Sequence, residues 1–194
     1  MPRYTGLNSE SAKHLQLDAG VFIKNYDINK DYDGNKSGII GMTAGGGSFS
    51  AVPTIRQIEA DGKRGAVKGL EVLDEWVVTM AANVKEMTAD VMAMALAAAT
   101  KKAATTPTGY TQITPNDEIQ ETDYLDNVAW VGRLSGSKKP IIIVVYNALA
   151  TNGLSLTFAD KSESTAALTI TGHYDLDNLD KPPFDIFYPE VEAG

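Results

Sequence analysis

A chain of 194 residues with 43% apolar and 22% charged side chains is long enough for one domain with a real core and does not have the composition of a disordered segment. It has no cysteine, which removes disulfides, thiolate nucleophiles and sulfur-rich metal sites. The net charge is −8, and all of the acidic excess sits late: residues 1–116 carry twelve acidic and twelve basic side chains, residues 117–194 thirteen and five. That balance disfavours sequence-independent nucleic-acid binding, which needs a basic footprint to displace phosphate counterions.

Residues 1–20 read as an irregular polar arm with no apolar core of signal-peptide kind, and the whole chain lacks the run of about 18 apolar residues that a membrane-spanning helix requires. Residues 21–23 read as a short strand, and residues 25–38, dense in Asn, Asp, Gly and Lys, as a loop. The TAGGGS stretch at 43–48 reads as a turn or flexible segment. A strand follows over 54–60, Gly62 and Gly65 punctuate a turn, and residues 70–85 form a clearer strand, so the two make a hairpin. On the second strand Val72, Trp76, Val78, Met80, Ala82 and Val84 share one parity, while Glu71, Glu75, Thr79, Asn83 and Lys85 form a polar face. Asp74 interrupts the apolar parity. It needs a cation from Arg56, Lys63 or Arg64 if buried, or a bulge that turns it outward.

The one good helix signal is MTADVMAMALAAATKK, with Thr88 as N-cap, Asp90 in the first turn and Lys101 with Lys102 in the last. A loop carrying Pro107, Gly109 and Pro115 leads to an acidic segment at 116–126. Strands are then expected over 138–150, 154–160 and 166–175. The proline-bearing residues 180–194 read as an edge or C-terminal extension. The sum is a mainly β domain over 21–194, an antiparallel sandwich or barrel with one flanking α-helix.

The chemical motifs are weak. Gly47 is followed by Ser-Phe-Ser instead of the Lys and helix of a phosphate loop. Asn29, Asp31, Asp33 and Gly34 match the early positions of a calcium loop, but Ile40 stands where its bidentate Glu belongs. His14 and His173 lie in neighbourhoods without ligand spacing. No catalytic order or cofactor fingerprint is present, so neither enzyme, cofactor nor metal is expected. Trp76, Trp130 and Tyr146 suit packing, or the ligand-facing rings of a carbohydrate- or host-binding β module.

Taken in order, several segments resemble the major tail tube protein of long-tailed (siphovirus-like) bacteriophages of Gram-positive hosts. They are residues 17–22, 40–49, PTIRQIEADG at 53–62, residues 69–84, EMTA at 86–89, the run at 147–175 and FDIFYP at 184–189. The resemblance covers nearly the whole chain. It implies a structural virion subunit, assembled in the host cytoplasm as stacked hexameric rings of a hollow tail that conducts DNA. Partners would be further copies of the chain, a tape measure protein, and tail tip and terminator proteins. The inner tube of a contractile tail is the related alternative.

Under that resemblance the 54–60/70–85 hairpin lines the bore, with Glu59, Glu71 and Glu75 as lumen candidates and Gly62 and Gly65 at its turn. A second lining hairpin is expected from residues 140–148 with 154–159, or from the late pair ending near Asp175. Arg56, Lys63, Arg64 and Lys68 are candidates for contacts between neighbouring subunits. Asp31 and Asp33, with Gly45, Gly46 and Gly47 in the 25–50 region, are candidates for contacts between rings.

Overall fold

The computed structural model describes residues 6, 8, 10–158, 160–161 and 163–191. Its strands are β1 (Val21–Lys24), β2 (Thr43–Gln57), β3 (Glu71–Val84), β4 (Ala99–Ala103), β5 (Thr111–Pro115), β6 (Leu125–Gly132), β7 (Ile141–Ala150), β8 (Ala166–Thr171) and β9 (Phe184–Phe187). Two helices accompany them, the single turn α1 (Tyr32–Asn35) and α2 (Ala89–Ala95). The architecture is the antiparallel β-sandwich with a flanking helix expected from the periodicity.

All pairings are antiparallel, in the order β1-β6-β7-β8-β3-β2, with β9 also on β7 and β4-β5 forming a separate two-stranded sheet. The two layers are joined by β7, which pairs β9 through 142–145 and β8 through 149–150. Between these stretches Asn147 adopts φ 45°, a left-handed conformation that Asn tolerates better than most side chains. Its Nδ2 donates to the His173 carbonyl at 3.1 Å, and its own carbonyl accepts from His173 Nδ1 at 3.0 Å. This reciprocal pair fixes the corner where the chain changes sheet.

Between the layers the odd-even alternation of the strands meets as a core. Val78, Met80, Ala82 and Val84 of β3, with Leu168 and Ile170 of the adjacent β8, form one buried cluster with Val128 and Trp130 of β6 and Val145 and Ala148 of β7. Each such aliphatic side chain, fully buried, contributes about 1.5–3 kcal/mol. Trp130 also satisfies its indole by donating to the Ala19 carbonyl at 2.8 Å.

The helix is shorter than its sequence signal. Thr88 caps it, accepting from Val91 N at 3.2 Å, but Ala97 turns left-handed at φ 63° and the chain leaves as β4. Lys101 and Lys102 therefore lie on a strand and not in a last helical turn. The chain around them is rich in Thr, and the Pro107–Gly109 turn that follows sends β5 back antiparallel. Residues 154–158 are irregular instead of a strand, and Ala159 lies outside the described residues. The sequence reading also passed over β6, although the β-branched and aromatic residues Val128, Trp130 and Val131 are a strand signal.

Both chain ends are more tied down than an arm and a tail. Residues 11–14 form a 3-10 turn, and the amides of Ser135 and Gly136 donate to the carbonyls of Leu15 (2.9 Å) and Lys13 (2.8 Å). His14 Nδ1 shares a hydrogen bond with the Tyr188 hydroxyl at 2.8 Å. Residues 10–20 thus pack on the β6–β7 turn; residues 1–5, 7 and 9 of the expected arm lie outside the described set. The C-terminal extension supplies β9, with residues 192–194 outside that set.

Candidate assembly interface

β2 and β3 run on together beyond the sandwich. β8 backs β3 only along 79–84, so below that level the two strands form a ribbon with no third strand. Directly opposite residues share a face, and two apolar pairs there are open to solvent: Val52 (54% exposed) across from Val77 (47%), and Ile55 (57%) across from Leu73 (50%). Among the described residues the free edge of β2, fifteen residues long, has no partner strand.

The ribbon contains a bulge. Thr54 pairs Glu75 and Ile55 pairs Leu73, so Asp74 is the extra residue. An extra residue reverses the parity of the strand beyond it. Asp74 is turned out, where the Arg56 guanidinium grips it with two hydrogen bonds, Nε to Oδ2 at 3.1 Å and Nη2 to Oδ1 at 3.2 Å. Of the two explanations for Asp74 the bulge that turns it outward holds, since the residue is exposed and not buried, and Arg56 is its partner there.

The same bulge corrects the lining assignment. Glu75 lies across from Thr54 and Glu71 across from Gln57. Positions 54 and 57 point to opposite faces of β2, so Glu71 and Glu75 do too and cannot both line one surface. Glu71 accepts from Gln57 Nε2 at 2.7 Å, and Glu75 from the Thr54 hydroxyl at 3.4 Å. Glu59 belongs to neither strand; it sits at the tip and pairs with Lys63 at 3.2 Å.

The connection closes on an Ile58 N to Leu70 carbonyl bond of 2.8 Å. Gly62 and Gly65 sit inside it at φ 85° and 143°, conformations that disfavour any side chain. Lys63 folds back into this tip with 7% of its side chain exposed, donating to the Ile58 carbonyl at 3.1 Å as well as to Glu59. It is thus a brace of the tip, not a projecting contact, whereas Arg64 and Lys68 are exposed.

The triple glycine is part of a strand and not a turn or flexible segment. It lies within β2, between the pairs Thr43–Val84 and Gly47–Ala82, where β2 carries more residues than β3. Gly45 and Gly46 absorb the surplus at φ 77° and 71°, which is the reason the sequence needs glycines there.

The 25–38 loop does project, and it is built around Asn35, a buried polar residue. Its Nδ2 donates to the carbonyls of Asp27 (2.9 Å), Lys30 (3.2 Å) and Asp31 (2.9 Å), and its Oδ1 accepts from Asp27 N at 2.8 Å. Asp31 caps α1 by accepting from Gly34 N at 2.8 Å, and Asp33 pairs with Lys36. Among the described residues no cluster of His, Asp or Glu is placed to hold a metal ion.

Neither expected second hairpin stands free, because β7 and β8 are both built into the sandwich. The other two-stranded unit is β4–β5, whose strands pair only with each other among the described residues and lie against α2. The aromatic rings proposed for ligand binding are engaged within the chain. Trp130 is buried, and Trp76 packs edge-on to Phe184 at 5.5 Å. Tyr146 donates to Asp185 at 2.8 Å under the Lys181 ammonium, 4.5 Å from its ring centre. Burial, then the Asp185 carboxylate, push the Tyr146 phenol up to about 12. No helix of the described residues is long and apolar enough to cross a membrane. No protein-family model matches the chain, and no curated protein matches it.

Proposed function

We propose that this chain is a structural subunit that polymerises as closed rings, stacked into the hollow tail tube of a long-tailed bacteriophage, through which DNA passes into the host. The observation that carries this reading is the β2–β3 ribbon, with open edges and exposed apolar pairs on both of its faces. A two-stranded ribbon alone is marginal in water, and a long apolar edge invites another strand. In a ring of copies facing the same way, β2 of one ribbon lies beside β3 of the next and runs antiparallel to it, so every edge but none of the copies' cores is shared. Head-to-tail contacts of this kind close into rings when the rotation allows.

Charged groups flank both edges of the join, with Arg56 and Asp74 already paired within each copy. Arg56 sits on the β2 side, while Glu71, Asp74 and Glu75 sit on the β3 side. A tape measure protein inside, and tip and terminator proteins at the ends, are the further partners this reading implies. The chemistry asked of the chain is mechanical, with no catalytic residue.

The test is sedimentation velocity of the purified chain beside Ile55→Asp and Leu73→Asp, which place charge on the open apolar pair. Wild type is expected to form large species, and both variants to remain monomeric with unchanged thermal unfolding. Polymers formed equally by the variants would overturn the assignment of the ribbon as the joining surface.

A further inference from the structure

In an antiparallel pair, residues alternate between pointing their backbone groups at the partner strand and pointing them away. Ile58 N donates inward to Leu70, so on β2 the even positions face β3 and the odd ones, Phe49, Ala51, Pro53, Ile55 and Gln57, face the free edge. Pro53 is thus an edge position without a donor, the one place a strand tolerates it. On β3 the outward positions below the bulge are Leu73 and Glu71, which lie across from Ile55 and Gln57. Above the bulge the next outward amide is that of Trp76, and it is already taken: it donates to the Tyr174 hydroxyl at 2.8 Å. Pro53 and Trp76 are directly opposite each other. Both edges of the ribbon are therefore stopped at the same rung, one by a missing donor and the other by a side-chain cap.

We propose that copies of this chain join only through the ribbon beyond that rung, the β2 edge at residues 55–57 of one copy pairing with the β3 edge at residues 71–73 of the next, with Pro53 and Tyr174 as matched stops. This rests on the tube reading and adds a register to it. Two short edges of equal length, each ending at its stop, fit head to tail. The stops keep the lateral contact brief, so that a single pair of copies is weakly held and ring closure supplies the stability. They also leave the sandwich end of the β2 edge, at Phe49 and Ala51, out of the join.

The experiment is hydrogen exchange by mass spectrometry on the full chain, monomeric and polymerised. The amides of Ile55, Gln57, Glu71 and Leu73 are expected to slow at least about tenfold on assembly, and those of Phe49 and Ala51 to stay unchanged. In the double variant Pro53→Val with Tyr174→Phe both stops are removed, and the critical concentration for assembly is expected to fall about fivefold, the worth of one added hydrogen bond. Slowing at Phe49 and Ala51 in the wild-type polymer, or an unchanged critical concentration in a folded double variant, would overturn the stops while leaving the tube intact. Absence of any polymer would remove the tube reading and the stops together.

Discussion

Asn35 holds its loop by donating to three carbonyls that converge on one side-chain nitrogen, and nothing else in that loop can replace it. Asn35→Ala would leave those carbonyls and the Asp27 amide without partners in a buried place. It is expected to cost about 2–4 kcal/mol, read as a lower midpoint in urea, and an unchanged midpoint would show that water serves as well. Asp90 carries a smaller, pH-dependent contribution. Lys101 and then Lys24 hold its carboxyl below the ordinary value of 3.8, so the folded chain binds this proton less readily than the unfolded one. The stabilisation is fully present above the unfolded value and is lost as pH falls through the folded one. With 55% of the side chain exposed, it amounts to only a few tenths of a kcal/mol. In Asp90→Asn the loss of stability between about pH 6 and about pH 3 is expected to shrink by that amount. An identical acid limb in the variant would show that the pair contributes nothing. Ala97, left-handed at the end of α2, is better served by glycine: Ala97→Gly is expected to raise stability by about 1 kcal/mol, and a lower melting temperature would contradict that.

At the scale of elements, much was legible where one strong period acts alone. The alternation from Val78 to Val84 marked β3 and its buried face, and the glycines between the two strands marked a turn. The same alternation misled at Glu71, because a one-residue bulge leaves no trace in composition while reversing everything beyond it. The helix signal overran because Ala and Lys suit the end of a helix as well as the start of β4; the left-handed turn at Ala97 that separates them has no glycine to announce it. The three glycines of β2 were read as a loop for the opposite reason, since glycine marks a bulge inside a strand as readily as a turn. The ribbon tip offers a direct check. A Cβ added at Gly62 or Gly65 meets no neighbouring atom, so replacing either by Val acts first through backbone strain, about 1 kcal/mol or more at each position. The expected outcome is slower assembly with an intact sandwich, followed by light scattering and circular dichroism. Assembly at wild-type rate would show that the tip conformation does not govern the join.

For the whole molecule, the sandwich is complete in one copy while its longest hairpin is not. The core layers share their burial through β7, but the ribbon's apolar pairs and its β2 edge find no cover among the described residues. The charge balance is compatible with a conduit: the acidic excess of residues 117–194 gives DNA little to hold, and salt-sensitive retention of duplex DNA at about 0.15 M salt is not expected of the polymer. Sequence reading reached the sandwich and the ribbon because both rest on periodicity. It did not reach the second ribbon, β4–β5, whose threonine-rich strands carry almost no apolar pattern. The most direct measurement is electron microscopy of the purified, polymerised chain. Closed rings with a central hole and a regular axial repeat are the expected result, and only monomers or solid, open-ended fibrils would contradict the account.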